Sequence, residues 1–304
     1  MPALSPPDPP LPPIVTMHEA LSAGLTRDQV RQRVRSGRWT RLAHGVYQRG
    51  TPPGTDTLDD FARARLDHAH RAIGAALAHP GAVIVGPSAA VLHGLPLFSP
   101  LPERVWLVQH GYRPAQRTDI DVHDWRLGPT EVEQHRVPVT SAVRTWLDIA
   151  RLQPLSDGLA VGDALLRSRV GISAEVRASI DARGSIRGIR RARLAADHID
   201  GARETPLESG SWAYFVEHRV ALPAMQHEIR SRDGRFVGRV DFWWRHAGVV
   251  GECDGRLKYT DRADLYAEKR REDALRELGL TVVRWGWQDL RGEALAQRLR
   301  RVLA

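Results

Sequence analysis

The stretch VVGECDGRLKY, residues 249–259, places two carboxylates one residue apart at the end of an apolar run. In a β-strand, residues i and i+2 face the same way. Glu252 and Asp254 are therefore expected to project together, with Cys253 opposite. Two carboxylates a few ångströms apart repel unless a proton, a cation or a metal sits between them. Oxygen-rich sites of this kind suit Mg2+, Mn2+ or Ca2+. Two further acids fall in the same region. Asp241 lies in GRVDFWW, with Val240 and Phe242 taking the opposite face, and Glu208 lies in TPLESGSW, four residues after Glu204 and so on the same helical face. The competing reading is structural: Asp241, Glu252 and Asp254 pair with arginines such as Arg239, Arg256 and Arg284.

The elements that must position these acids are legible in residues 204–304. ETPLESGSWAYFVEHRV reads as a helix. Residues 226–231 and 234–245 read as a hairpin around Asp233-Gly234, a strong turn dipeptide. GVVGECDG reads as a buried strand and DLYAEKRREDALRELG as a charged helix stopped by Gly279. LTVVRWGW is a further strand, and residues 288–303 a last helix. Trp243, Trp244, Trp285 and Trp287 are read as packing residues, and Cys253 as a small apolar one.

Glu208 on a leading helix, Asp241 on a hairpin strand, and then GECDG resemble the PD-(D/E)XK nuclease superfamily. More narrowly, VDFWW, VVGECDGRLKY and EKRREDALRELGLTVVRWGWQDL resemble its very-short-patch-repair-like branch. The resemblance covers about the last hundred residues. It implies metal-dependent phosphodiester hydrolysis, with Asp241 and Glu252 holding Mg2+ or Mn2+ and Glu208 as an accessory carboxylate. Such a metal polarises the phosphoryl oxygen and lowers the pKa of its water. The chain departs from the pattern at one place: the superfamily's lysine falls at position 254, which is Asp254. Lys258, four residues on, is the candidate for the missing positive charge, and Lys269 and Arg270 for contacts to DNA phosphate.

The N-terminal part has another rhythm. Thr26 stands in N-cap position with Gln29 three residues on, the spacing of a capping box. RDQVRQRVRSG then ends at Gly37. RWTRLAHGVYQRG alternates through Trp39, Leu42, Val46 and Tyr47 around His44-Gly45. A basic helix followed by a short ribbon is the outline of a winged helix-turn-helix. Arg27, Arg31, Arg33, Arg35, Arg38 and Arg41 would supply its positive face; the plainer reading is an amphipathic helix with solvated arginines. LTRDQVRQRVRSGRWTRLAHGVYQRG followed by HPGAVIVGPSAAVLHGLPL is similar to the AbiEi-type antitoxins of type IV toxin–antitoxin systems, over residues 17–150. That resemblance implies an operator-binding winged helix, a toxin-system partner and a nucleotidyltransferase-like domain. Gly86, Ser88, Asp119 and Asp121 are only a loose echo of a working nucleotidyltransferase signature.

Four segments result: a proline-rich tail at 1–15, read as disordered; a winged-helix-like unit at 16–50; a mixed α/β middle domain with a helical segment at 56–200; and a restriction-endonuclease-like α/β domain at 204–304. Within the middle domain Thr140 is the expected cap of the helix in SAVRTWLDIARL, and the scattered histidines show no metal spacing. The formal net charge of +8 favours anionic partners, above all nucleic acid. Of the 44 basic residues, all but Lys258 and Lys269 are arginine. The single cysteine, the lack of a membrane-length apolar run and a start unlike a secretion signal lead to the expectation of a cytoplasmic protein. Two functions stay open: a DNA-binding, metal-dependent endonuclease, or a non-catalytic antitoxin or autoregulator with a degenerate nuclease fold.

Overall fold

The structure is a computed structural model that describes residues 11–50, 54–111, 119–168, 171–254 and 262–304, without the side chains of 262–269. The fold is mixed α/β. The chain divides into two compact units, one of residues 1–95 with 100–145, the other of residues 96–99 with 146–304.

The first unit opens on β1 (Ile14–Thr16), α1 (Met17–Ser22) and α2 (Arg27–Arg35). The ribbon of β2 (Trp39–Ala43) and β3 (Val46–Arg49) follows. β3 lies between β1 and β2, antiparallel to both. Both helices start with a reciprocal cap. Thr16 and Thr26 each accept from the backbone N–H three residues on, and Glu19 and Gln29 accept from the backbone N–H of Thr16 and Thr26. Val15, Ala20, Leu25, Val30 and Trp39 form the core of this piece. Ile14 and Val15, taken as part of the tail, are thus a strand and core residues.

The remainder of the unit is a five-stranded sheet in the order β6-β5-β4-β8-β7. Its strands are β4 (Val83–Ile84), β5 (Val105–Val108), β6 (Ile120–His123), β7 (Val132–Gln134) and β8 (Pro138–Thr140). Alanines 72, 75 and 76 of α3 (Asp60–Ala78) pack on it, and α4 (Gly86–Leu92) adds Ala89. Small residues on a helix let it lie close to a sheet rich in valine and isoleucine. α5 (Ala142–Leu152) begins with Ser141 Oγ accepting from Arg144 N at 3.3 Å. Thr140 instead ends β8, buried, with its hydroxyl 2.8 Å from that of Thr145.

In the second unit come α6 (Leu155–Ser168), α7 (Ile172–Asp181) and α8 (Ile189–His198), then α9 (Pro206–Glu217), capped by Thr205. Asp163 of α6 and Arg203 are both fully buried and form a two-pronged ion pair at 2.6 and 2.7 Å. Asp163 also accepts from Ser209 Oγ on α9, at 2.7 Å. Next is a four-stranded sheet in the order β12-β11-β10-β9. Its strands are β9 (Ala224–Arg230), β10 (Phe236–Trp244), β11 (Val249–Cys253) and β12 (Thr281–Trp285), with α10 (Arg262–Glu277) between the last two and α11 (Ala294–Leu303) at the end. β9, β10 and β11 are antiparallel neighbours, and β12 runs parallel to β11. The element order is the one the sequence predicts. α9 and α11 cover one face through Tyr214, Phe215, Leu295 and Leu299. α10 covers the other through Leu275, against Ile229, Val240 and Val250. The adjacent valines of β11 bury one on each face. Gly251, next along the strand, is where the tryptophans close in: a Cβ there would stand 2.5 Å from the Trp285 ring and 2.9 Å from that of Trp244.

Candidate functional site

The first candidate is a cleft of about 890 Å3 in the N-terminal piece, bounded by α1, α2 and the β2–β3 ribbon. The Thr26 cap fixes where α2 starts, and from there Arg27, Arg31 and Arg35 recur every fourth residue along one helical face. All three are exposed and line the cleft, and Arg41 enters it from β2. Asp28 offsets part of this charge by pairing with Arg31 at 3.1 Å. Arg41 Nη2 lies 3.3 Å from His44 Nδ1 at the ribbon turn. Leu21, Val34 and Tyr47, all half-buried, supply apolar lining.

Of the other expected members of the positive face, Arg33 differs. Arg38 is exposed but stands outside the cleft lining. Arg33 is only 2% exposed; its guanidinium donates to Gln29 O and lies 5.8 Å from the centre of the Trp39 ring. It belongs to the packing of the piece. The part of the cleft that sequence reasoning missed is α1, although the Thr16–Glu19 spacing carries the same capping signal as Thr26–Gln29.

The second candidate is the carboxylate set. Glu208 sits in the first turn of α9 and is buried. Its oxygens accept from Thr205 Oγ1 at 2.8 Å, from Glu204 N at 2.9 Å and from Gln226 Nε2 at 2.9 Å. Glu204 precedes the helix rather than sharing a face with Glu208, and pairs with Arg239 at 3.0 Å. Glu252, 6% exposed, lies between two guanidiniums. Arg284, its register partner on β12, approaches Oε2 with Nη2 at 3.0 Å and Nε at 3.1 Å. Arg271 of α10 brings Nη2 to 2.7 Å from Oε1, a close ion pair out of line for a hydrogen bond. Arg284 also pairs with Glu272 at 3.0 Å, and Arg271 donates to Arg239 O at 2.7 Å. For Glu252 the arginine pairing is therefore real; Arg284 was an expected partner and Arg271 was not.

Asp241 behaves differently from expectation. Val240 packs in the cluster under α10 and Phe242 in the cluster under α9 and α11, so strand alternation breaks at the aspartate. Across from it on β9, Gln226 holds a φ of +49°, a conformation rare for a side-chain-bearing residue in a strand. Asp241 Oδ2 accepts from Cys253 N at 3.1 Å and lies 3.6 Å from Cys253 Sγ. The thiol expected to point away from the acids thus sits against one of them. Burial raises the pKa of Asp241 from its ordinary value, and the charges of Glu208 and Glu252 push the same way against the hydrogen bond from Cys253 N. Burial, then Asp241 and Glu208, raise that of the Cys253 thiol.

Asp254 is half-exposed and continues the ladder by donating its N–H to Trp285 O at 2.9 Å. Arg270 is exposed on α10. Lys258 and the side chain of Lys269 lie outside the described residues. A divalent cation asks for oxygens that converge and are free to bind it. Here Glu252 is held by arginines, Glu208 is held by hydrogen bonds, and Asp241 turns to Cys253. Among the described residues no group of three or more His, Cys, Asp or Glu side chains converges on a point that could hold a metal. As arranged, these carboxylates do not fit Mg2+ or Mn2+.

Elsewhere, Ser88 does not resemble a phosphate-binding serine. It is fully buried, accepts from Trp106 N at 2.9 Å and lies 2.9 Å from Nε2 of His68, which is also fully buried. Among the described residues no helix is long and apolar enough to cross a membrane.

Comparison with known proteins bears on the first candidate most directly. Residues 11–50, the piece that carries the arginine cleft, match the model of a family described as transcriptional regulator, AbiEi antitoxin. Over nearly its whole length the chain is similar to two uncharacterized proteins of Mycobacterium tuberculosis, from two strains. Each is 27% identical over 281 residues, which cover 92% of this chain and 97% of the relative.

Proposed function

We propose that the protein is a DNA-binding transcriptional regulator of the antitoxin type, whose second unit has a nuclease-like arrangement without metal-dependent cleavage. The observation that carries this reading is the coincidence of the family match at 11–50 with a cleft walled by Arg27, Arg31, Arg35 and Arg41. A short helix with an arginine on every fourth position, beside a β-ribbon bearing another, suits a phosphate backbone at the edge of a groove. The net charge of +8 supports the same partner. A toxin-system partner is part of the proposal, as the family's description implies. The arginine clamp on Glu252 and the aspartate at position 254 support the loss of cleavage.

The test is a mobility shift of the intact protein, in a metal chelator, on the DNA upstream of its own gene. Retardation that weakens in Arg31→Ala and Arg35→Ala supports the reading; no retardation sinks it.

One observation favours the second reading, a PD-(D/E)XK endonuclease. Asp241 is crowded by the charges of Glu208 and Glu252, a condition that a cation would relieve. On this reading Asp241 and Glu252 would hold Mg2+ or Mn2+ once Glu252 leaves its arginines, and Glu208, Asp254 and Lys258 would assist. Nicking of supercoiled DNA that needs the metal and vanishes in Asp241→Ala and Glu252→Ala would select it.

A further inference from the structure

The N-terminal cleft has the dimensions of a ligand site as well as the charge of a DNA face. Its volume of about 890 Å3 lies within the range of pockets for small molecules, roughly 300–1,000 Å3. The walls are cationic on two sides, with Arg31 and Arg35 on α2 and Arg41 on β2. Leu21, Val34 and Tyr47, none of them sealed from solvent, add apolar and aromatic surface to the same lining, and Asp28, paired with Arg31, adds one carboxylate. Guanidinium groups recognise phosphate through paired hydrogen bonds. A phenol ring offers a base a face on which to stack. Guanidinium groups beside apolar and aromatic surface in one cleft are the complement of a molecule that is anionic at one end and flat and apolar at the other.

We infer that this cleft binds a nucleoside phosphate, with the phosphate on Arg31, Arg35 and Arg41 and the base against Tyr47. The occupant and duplex DNA exclude each other, because both need the same arginines. That second statement rests on the DNA-binding reading above; the assignment of the cleft does not. The same chemistry is offered by a free nucleotide or by an unpaired nucleotide at the end of a DNA strand, and the cleft as described takes either.

The experiment is equilibrium binding to the intact protein of deoxyadenosine monophosphate, inorganic phosphate, deoxyadenosine and a 5′-phosphorylated single strand. The nucleotide is expected to bind at least about tenfold more tightly than phosphate or nucleoside alone. Arg35→Ala, and Tyr47→Leu, which keeps the apolar bulk, should each weaken it about tenfold, with thermal melting unchanged in Arg35→Ala. Tighter binding of the phosphorylated strand than of the nucleotide would assign the cleft to strand ends, and the reverse to a free effector. Equal affinity for the nucleotide and for inorganic phosphate would overturn the inference, as would a protein that retards duplex DNA but binds no nucleotide. Nucleotide binding by a protein that retards no duplex would leave the cleft assignment standing and remove the DNA-binding reading.

Discussion

Glu252 and Arg284 stand side by side on parallel strands, the carboxylate Oε2 3.0 Å from Nη2 and 3.1 Å from Nε of the guanidinium. Arg271 closes on the other oxygen from α10. Three elements meet at one buried acid, and the charge that a cation would neutralise is already met by the protein.

Glu252→Ala should therefore act on stability. It leaves two guanidiniums, each about a quarter exposed, without their shared anion. Removing one member of a fully buried pair costs about 3–5 kcal/mol, and partial solvent access to the arginines brings the expected loss to about 2 kcal/mol. Urea unfolding measures it. A variant as stable as the wild type would show that the clamp does not support the fold.

Metal addition follows from the same clamp. Millimolar Mg2+ or Mn2+ should leave the thermal midpoint of the intact protein unchanged, since a ligand stabilises only the state that binds it. A rise in midpoint that disappears in Asp241→Ala would contradict the arrangement described for these acids.

His68 gives a pH dependence. Burial, with Arg71 and Arg65 nearby, lowers its pKa from 6.5 to about 4, and its ring is bonded at both nitrogens, to Ser88 and Arg71. The folded state thus holds this ring neutral where the unfolded chain would already bind a proton. The sign is fixed by that difference: the contribution is complete above pH 6.5, falls as the pH drops below it, and levels off under about 4. The full span is on the order of 3 kcal/mol. Unfolding free energies across this range, compared with His68→Gln, should show the slope in the wild type and its loss in the variant.

Arg31 and Arg33 are two residues apart and should separate function from fold. Arg31 is exposed in the cleft, whereas Arg33 is buried against Trp39. Arg31→Ala is expected to weaken DNA binding with a change in stability within ~0.5 kcal/mol. Arg33→Ala is expected to cost about 1–3 kcal/mol of stability through lost packing and hydrogen bonding. Paired shift assays and chemical denaturation check both.

What the sequence makes legible is local. Thr26 with Gln29 marks the start of α2, Asp233-Gly234 marks the β9–β10 turn, and Gly279, with a φ of +80°, marks the stop after α10. Each signal comes from a few residues whose backbone preferences need no tertiary help. What escapes is set by distant partners. Arg33 looks like its neighbouring arginines until Trp39 folds over it. Cys253 meets Asp241 because β10 loses its alternation opposite Gln226, and a period-two reading assumes that it does not. Arg271 reaches Glu252 from a helix whose rotation about its axis is fixed by Leu275 in the core, which no spacing between the two residues reveals. Lys258, the other candidate at the carboxylate set, lies outside the described residues.

The most direct test of the central claim is the salt dependence of DNA binding by the intact protein, measured in a metal chelator on the DNA upstream of its gene. Binding should be present without metal and fall steeply with salt. The logarithmic slope should shrink by about one for each of Arg31→Ala and Arg35→Ala, as each phosphate contact is lost. Binding that needs Mg2+, or slopes identical in wild type and variants, would contradict a DNA-binding regulator that works through the arginines of α2.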